Sequence, residues 1–233
     1  MATRRAVLLI ADIGGYTEYM HFHRSVLGHA EAATSRMLSK VVSAARGFDL
    51  IEIEGDAAFL SRDAERLGSS ETLNAVTNAA VAMHGAFHKE RQLVQLNMCP
   101  CGSCKQTSDL KLKFVAHVGE VATQTIRRRK KLVGLDVIHV HRMLKNPVDV
   151  PEYLLVTDEL YGTATSALAM QRLDLDLEGI GQVRTHFVNV GELAAPAGQP
   201  SWSERIGGTF AMVGRGLPYA VGWRRPPELA ATG

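Results

Sequence analysis

No apolar run in the sequence approaches the roughly 20 residues that a membrane helix needs, and no charged-apolar-small leader opens it. No membrane partner is therefore expected. Cysteine is scarce: Cys99, Cys101 and Cys104 are the whole supply, crowded together, which argues against a disulfide framework and makes a reducing cytoplasm the expected compartment. A charge excess of one sign is missing too. Lys and Arg number 26 against 24 Asp and Glu, and a net charge of +2 is too mild for a nucleic-acid partner. What is present is a chain of 233 residues, long enough for one large domain with a sizeable core or a domain with an appendage.

The stretch Ala6-Val7-Leu8-Leu9-Ile10-Ala11-Asp12-Ile13-Gly14-Gly15-Tyr16-Thr17 joins an apolar run to one acid and a glycine pair. Such a run, bounded by a Gly turn, predicts a strand buried on both faces. Asp12 then sits where the strand runs out, at a sheet edge, and a carboxylate held there must be paired or bind a cation. Gly14 and Gly15 permit a sharp turn that presents backbone N–H groups, an arrangement suited to phosphate oxygens. Taken alone, the stretch is equally compatible with an ordinary strand-to-helix turn. A second stretch, Leu50-Ile51-Glu52-Ile53-Glu54-Gly55-Asp56-Ala57-Ala58-Phe59-Leu60, alternates, breaks at Gly55-Asp56 and resumes as an apolar run, which predicts a hairpin. Two strands each bearing an Asp at a Gly turn can bring together hard oxygen ligands of the kind that Mg²⁺ on a nucleoside triphosphate requires.

Between and beyond these stretches, helical spacing predicts one helix from about Thr17 to Gly47 and a second from about Glu71 to Leu96. The mixed spacing of His21, His23 and His29 predicts solvent exposure. His84 and His88, at i and i+4, share a helix face, for which a polar surface is the plain interpretation and a metal the sharper one. Cys99, Cys101 and Cys104, with Pro100 and Gly102 forcing a turn, have the spacing of a metal knuckle, so they are candidate ligands of a structural Zn²⁺. A Cys₃ set wants a His or a water as the fourth ligand, and His88, His139 and His141 are the candidate histidines. The alternatives are three reduced thiols in a surface loop and a redox switch. Leu110 to Val121 alternates as a strand, and Arg127-Arg128-Arg129-Lys130-Lys131 predicts a solvated hairpin tip.

The two Asp-bearing stretches resemble the class III nucleotidyl cyclase homology domain of adenylyl and guanylyl cyclases. Further resemblances follow in that family's order: His117-Val118-Gly119-Glu120 at a strand end, Gly134 to Leu144 as a helix carrying Arg142, the Tyr153–Tyr161 strand and short helix, and a last hairpin over Leu177–Val188. The likeness spans about Arg5 to Gly191. It implies an α/β (α+β) fold, a ferredoxin-like palm sheet with flanking helices. Residues 1–191 would form the cyclase-like domain, with a Cys-rich insertion at about 97–109 and a C-terminal extension at 192–233. The resemblance further implies Mg²⁺ or Mn²⁺ on Asp12, Asp56 and the backbone at Ile13. It places a nucleoside triphosphate against Gly14, Gly15, Tyr16 and Thr17, with Glu52 near the base. It also implies a head-to-tail homodimer in which Arg142 serves the partner's site as the catalytic cation, and Arg127–Lys131 as part of a dimerisation arm.

Departures from the family's pattern are equally specific. Counting back from Arg142, the family's transition-state Asn falls on Ile138, although a shift of one position would put His139 there. The family's phosphate-binding Lys falls on Glu178 or Ile180. Glu52 stands where guanylyl cyclases carry Glu, but its companion position falls near Lys131, which could pair with Glu52 and close the base pocket. Two functions are therefore expected to compete: a divergent nucleotidyl cyclase forming a cyclic mononucleotide and pyrophosphate, or a catalytically degenerate nucleotide- or zinc-binding signalling module.

Overall fold

The structure, a computed structural model, describes residues 3–23, 27–96, 106–127, 129–162, 164 and 168–194. Its backbone is a mixed sheet in the order β2-β3-β1-β4-β6-β8-β7, with β5 paired to β4. The first strand, β1 (Thr3–Gly14), is where the apolar run predicted it, and Ala6 to Ala11 are at most 1% exposed. It pairs antiparallel with β3 (Ala57–Asp63) on one side and with β4 (Lys111–Ile126) on the other. Asp12 therefore lies at the end of an inner strand, not at a sheet edge. Both flanks are needed to keep so apolar a run out of water, since a buried strand must hydrogen-bond along both edges.

The period of two along β1 supplies two cores. Val7, Leu9, Ala11 and Ile13 face α2 (Leu27–Ala44) and α3 (Ser69–Leu96), where they meet Met37, Val41, Val76, Met83 and Phe87. Ala6, Leu8 and Ile10 face the opposite side, with Val115, Phe59 and, from α4 (Leu135–Arg142), Val140. The buried Ala79 and Ala80 allow α3 to pack closely, whereas Ala82 faces solvent, and Arg36 on α2 ties to the buried Glu90 on α3 with N···O 2.5 Å.

The single long helix expected from Thr17 is two. The first, α1 (Tyr16–Phe22), stops at His23, whose N–H bonds to the Tyr19 carbonyl and whose ring is buried with Nδ1 2.8 Å from that same oxygen. His23 thus departs from the exposure predicted for it, because helix termination folds its ring inward; His21 is exposed as expected.

The Gly55-Asp56 turn does join β2 (Asp49–Glu54) to β3, with Gly55 at φ 61°. Strand β4 runs on into β5 (Arg129–Val133) across the basic tip. The chain then crosses over through α4 to β6 (Tyr153–Thr157), which is parallel to β4. A four-residue helix, α5 (Asp158–Tyr161), and the hairpin of β7 (Gln171–Leu177) and β8 (Gly181–Asn189) complete the sheet, and α6 (Val190–Leu193) ends the described chain. Asp136 anchors α4: its Oδ2 accepts the Glu120 N–H at 2.6 Å, close to Gly119, where any Cβ would collide with the Asp136 carboxylate. An acid in the first turn also suits the positive end of a helix. No helix among the described residues is long and apolar enough to cross a membrane.

Candidate functional site

Asp12 and Asp56 meet at one end of the sheet. Antiparallel register sets Asp12 opposite Ala57, one residue past Asp56, and the Ile13 N–H donates to the Asp56 carbonyl at 3.3 Å. The closeness has an electrostatic signature: burial, then the Asp12 charge, pushes the Asp56 carboxyl above its ordinary pKa. Two carboxylates sharing a partly buried corner repel, and a cation relieves that repulsion.

A cation from the chain itself is already at hand. Lys113 lies across the ladder from Asp12 on β4, and its Nζ is 3.0 Å from Asp12 Oδ2. Burial opposes the Lys113 charge, yet the hydrogen bond and charge of Asp12 outweigh it and leave the ammonium pKa above normal. Nothing in the sequence singles out Lys113, because its role depends on the β1–β4 register. Beyond Asp12 the expected phosphate-cradling segment turns sharply at Gly15, with φ 82°, into α1, and Gly15 and Thr17 are exposed. Tyr16 is half-buried, its hydroxyl pKa raised by burial and then by Asp56. The side chain of Ile13 is in the core, so only its backbone can serve a ligand.

The second group of expected residues is elsewhere. Arg142 is at the end of α4, where Nη1 donates to Glu178 Oε2 at 2.5 Å in the β7–β8 turn. The position expected to hold a phosphate-binding Lys thus holds the acid that neutralises the expected catalytic Arg. Ile138 is 50% exposed, whereas His139 turns inward and is buried against His117, with ring centroids 4.3 Å apart. Glu52 pairs with Lys131 at 3.7 Å, the contact anticipated from the sequence.

The histidines proposed as a fourth zinc ligand are each engaged. His141 is 3.5 Å from Glu54 and packs edge-on against Phe59. His139 lies against His117, which itself bonds Thr157 and Asp136. His88 joins His84 and Glu152 in a cluster that replaces the solvated helix face expected there, because α3 lays that face against the start of β6. Glu152 carries no motif, and only the tertiary fold brings it to the two rings. Cys99, Cys101 and Cys104 lie outside the described residues.

Comparison with known proteins gives relatives and a fold. The family described as "Protein of unknown function (DUF2652)" matches residues 34–153, from within α2 to the start of β6. "Uncharacterized protein Rv2561/Rv2562" of Mycobacterium tuberculosis is 35% identical over 196 residues, covering 82% of this chain and 90% of that protein. Among solved structures, the guanylate cyclase domain of RhGC from Catenaria anguillulae in complex with GTP superimposes with a TM-score of 0.61 at 15% identity, covering 81% of this chain and 98% of that one. A class III adenylyl cyclase-like ATP-binding protein from Pseudomonas aeruginosa gives 0.59 at 18% identity, covering 71% of this chain and 36% of that one. The chain belongs to the family described as "Protein of unknown function (DUF2652)", and its fold is that of the class III adenylyl and guanylyl cyclase catalytic domain.

Proposed function

We propose that this protein binds a nucleoside triphosphate together with Mg²⁺ or Mn²⁺ at the Asp12–Asp56 end of the sheet, and that it turns the nucleotide over slowly or not at all. The observation that carries the reading is the carboxylate pair, set together by the β1–β3 register at the tip of a Gly turn. Carboxylates are the ligands that Mg²⁺ shares with substrate phosphates. Bound there, a divalent cation supplies charge neutralisation for the phosphates and acidifies the ribose hydroxyl. The chain's own residues would hold the rest: the backbone N–H groups of the Gly14–Thr17 turn are the donors for the phosphates, and Lys113, 3.0 Å from Asp12, is the cation that would balance their charge.

Turnover is limited by what α4 and the last hairpin lack. Ile138 can neither donate nor accept a hydrogen bond, and the place expected for a phosphate-binding Lys holds Glu178, an acid that pairs with Arg142. Missing electrostatic contributors of this kind cost about a hundredfold or more each. The neighbour described as a class III adenylyl cyclase-like ATP-binding protein supports nucleotide binding as a use of this fold.

A homodimer completes the proposal. The α4 surface that would meet a second copy exposes Leu135 and Ile138, at 65% and 50%, which at i and i+3 are neighbours on one helix face. The experiment is calorimetric titration of the full chain with each of four nucleoside triphosphates, with and without Mn²⁺, alongside product detection by mass spectrometry. Binding should depend on Mn²⁺ and weaken at least about a hundredfold in Asp12→Ala and Asp56→Ala, since two hard ligands become one. Undiminished affinity in both variants would overturn the reading, and so would no binding at all.

A further inference from the structure

On the face of the sheet that α3 covers, His84, His88 and Glu152 bring three ligand atoms to one point. The contacts close a triangle: His84 Nε2 to His88 Nε2 is 3.0 Å, His88 Nε2 to Glu152 Oε1 is 2.8 Å, and His84 Nε2 to Glu152 Oε2 is 3.2 Å. Protons alone cannot satisfy it. A carboxylate only accepts, and each ring offers one atom to both of its neighbours. If both Nε2 atoms carry hydrogen, the His–His side has two donors and no acceptor. If either lacks it, that ring turns its lone pair on the carboxylate. With the carboxylate ionised, every placement of the two ring protons leaves at least one side of the triangle repulsive, and a cation at the centre removes the conflict.

We propose that His84, His88 and Glu152 form a binding site for a divalent transition-metal ion of the Zn²⁺ type, separate from the Asp12–Asp56 pair. The donor set decides the class, since two imidazoles with a carboxylate suit zinc or cobalt, whereas Mg²⁺ and Ca²⁺ take oxygen. The dimensions agree. Ligands about 2.05 Å from a tetrahedral zinc stand about 3.3 Å apart, close to the separations in the triangle.

The surroundings hold the ligands in place. Residues i and i+4 put both rings on one side of α3, and Phe87 packs edge-on against His88. Glu152 is fixed twice, by its carbonyl accepting the Val190 N–H at 3.1 Å and by Oε1 accepting the Leu112 N–H at 3.0 Å. An outer hydrogen bond that orients a ligating carboxylate is a regular part of metal sites. The ion would join the middle of α3 to β4 and β6, one residue along β4 from Lys113. Three protein ligands leave the fourth position for water or another donor, and the side chains of His88 and Glu152 keep 16% and 15% exposure toward it.

The test uses the full chain with Cys99, Cys101 and Cys104 all changed to Ser, so that no thiol competes. Cobalt(II), titrated into this metal-stripped protein, should bind one ion and give visible tetrahedral bands without the near-ultraviolet band of thiolate ligation. Adding Asp12→Ala should leave the spectrum unchanged. His88→Gln and Glu152→Gln should each weaken binding by at least about a hundredfold, beyond the usual effect of losing an outer-shell partner. The inference is overturned if the triple-Ser chain takes up no cobalt, if Asp12→Ala removes the signal, or if His84→Gln/His88→Gln binds undiminished. Should those variants not fold, zinc-induced shifts of two histidine side-chain nitrogen resonances in the triple-Ser chain decide the matter: their presence supports the site and their absence refutes it.

Discussion

At the β1 end of the sheet two carboxylates converge with a lysine beside them, while at the α4 end the arginine faces an acid and an isoleucine faces solvent. On the proposed reading, the first region is the one whose groups would hold a cation and phosphates. The second keeps the cyclase fold but places Glu178 and Ile138 where groups stabilising a pentacoordinate phosphorus would be expected. If the proposed function holds, the difference teaches that binding and turnover would rest on separable parts of this sheet. Ligand-holding oxygens sit on strands whose register is locked by the core, whereas the expected transition-state groups sit on one helix and one exposed turn.

The sharpest way to break the contrast is to rebuild the second region. Ile138→Asn with Glu178→Lys supplies an amide and a phosphate-seeking cation and frees Arg142 from its acid. Cyclic product should rise at least about a hundredfold over the parent chain, and Arg142→Ala in that background should remove the gain. The Arg142–Glu178 pair is itself a weak stabiliser, because the Glu178 side chain is 88% exposed, so the double substitution should leave folding intact. If product does not rise, the loss lies in the geometry of α4 rather than in its charges.

A smaller effect separates the regions by stability. Gly119→Ala places a methyl group against the Asp136 carboxylate that anchors α4, and overpacking of this kind costs about 1–3 kcal/mol. Denaturant unfolding should register that loss, while Mn²⁺ affinity at Asp12 and Asp56 should stay within about twofold, since additivity holds between sites with no shared partner. Weaker still is the expected response to Lys113→Met. With the competing ammonium gone from 3.0 Å away, Mn²⁺ alone should bind about two- to fivefold more tightly, the order of one charge pair near the surface. A fall in affinity instead would show that Lys113 supports the metal corner.

Much of this arrangement is legible in the sequence, and the boundary is physical. The apolar run of β1 and the Gly55-Asp56 hairpin are local patterns, so the strands, Asp12 at a strand end and Asp56 in the turn follow from them, but not that β1 is an inner strand. The mixed α+β fold follows from a handful of short motifs in order. Lys113 and Glu152 are invisible to such reasoning, because each acquires its partner through the pairing of β4 with β1 or the packing of β6 under α3. His84 and His88 are half legible: their spacing shows a shared face, but not that α3 turns this face inward. The break between α1 and α2 is missed because no Pro or Gly marks it between Thr17 and Leu27; the closing contact, His23 on the Tyr19 carbonyl, is local but visible only in the folded chain.

The smallest effect concerns pH and again distinguishes α4 from the carboxylate end. His139 is buried, and burial first, then the neighbouring His117, holds its pKa below the ordinary imidazole value of about 6.5, against the opposing pull of Glu159 and Asp136. A histidine with a depressed folded pKa is protonated in the unfolded chain before it is protonated in the native one. Stability from its burial is therefore complete above about pH 6.5 and declines as pH falls toward the folded value, below which the slope vanishes. Each unit of depression corresponds to about 1.4 kcal/mol. His139→Gln removes the titrating group, so the difference in unfolding free energy between parent and variant should shrink as pH drops from about 7 to 5. A difference that stays constant across that range would mean that His139 titrates normally and that the α4 side of the sheet is more open to water than its packing against His117 implies.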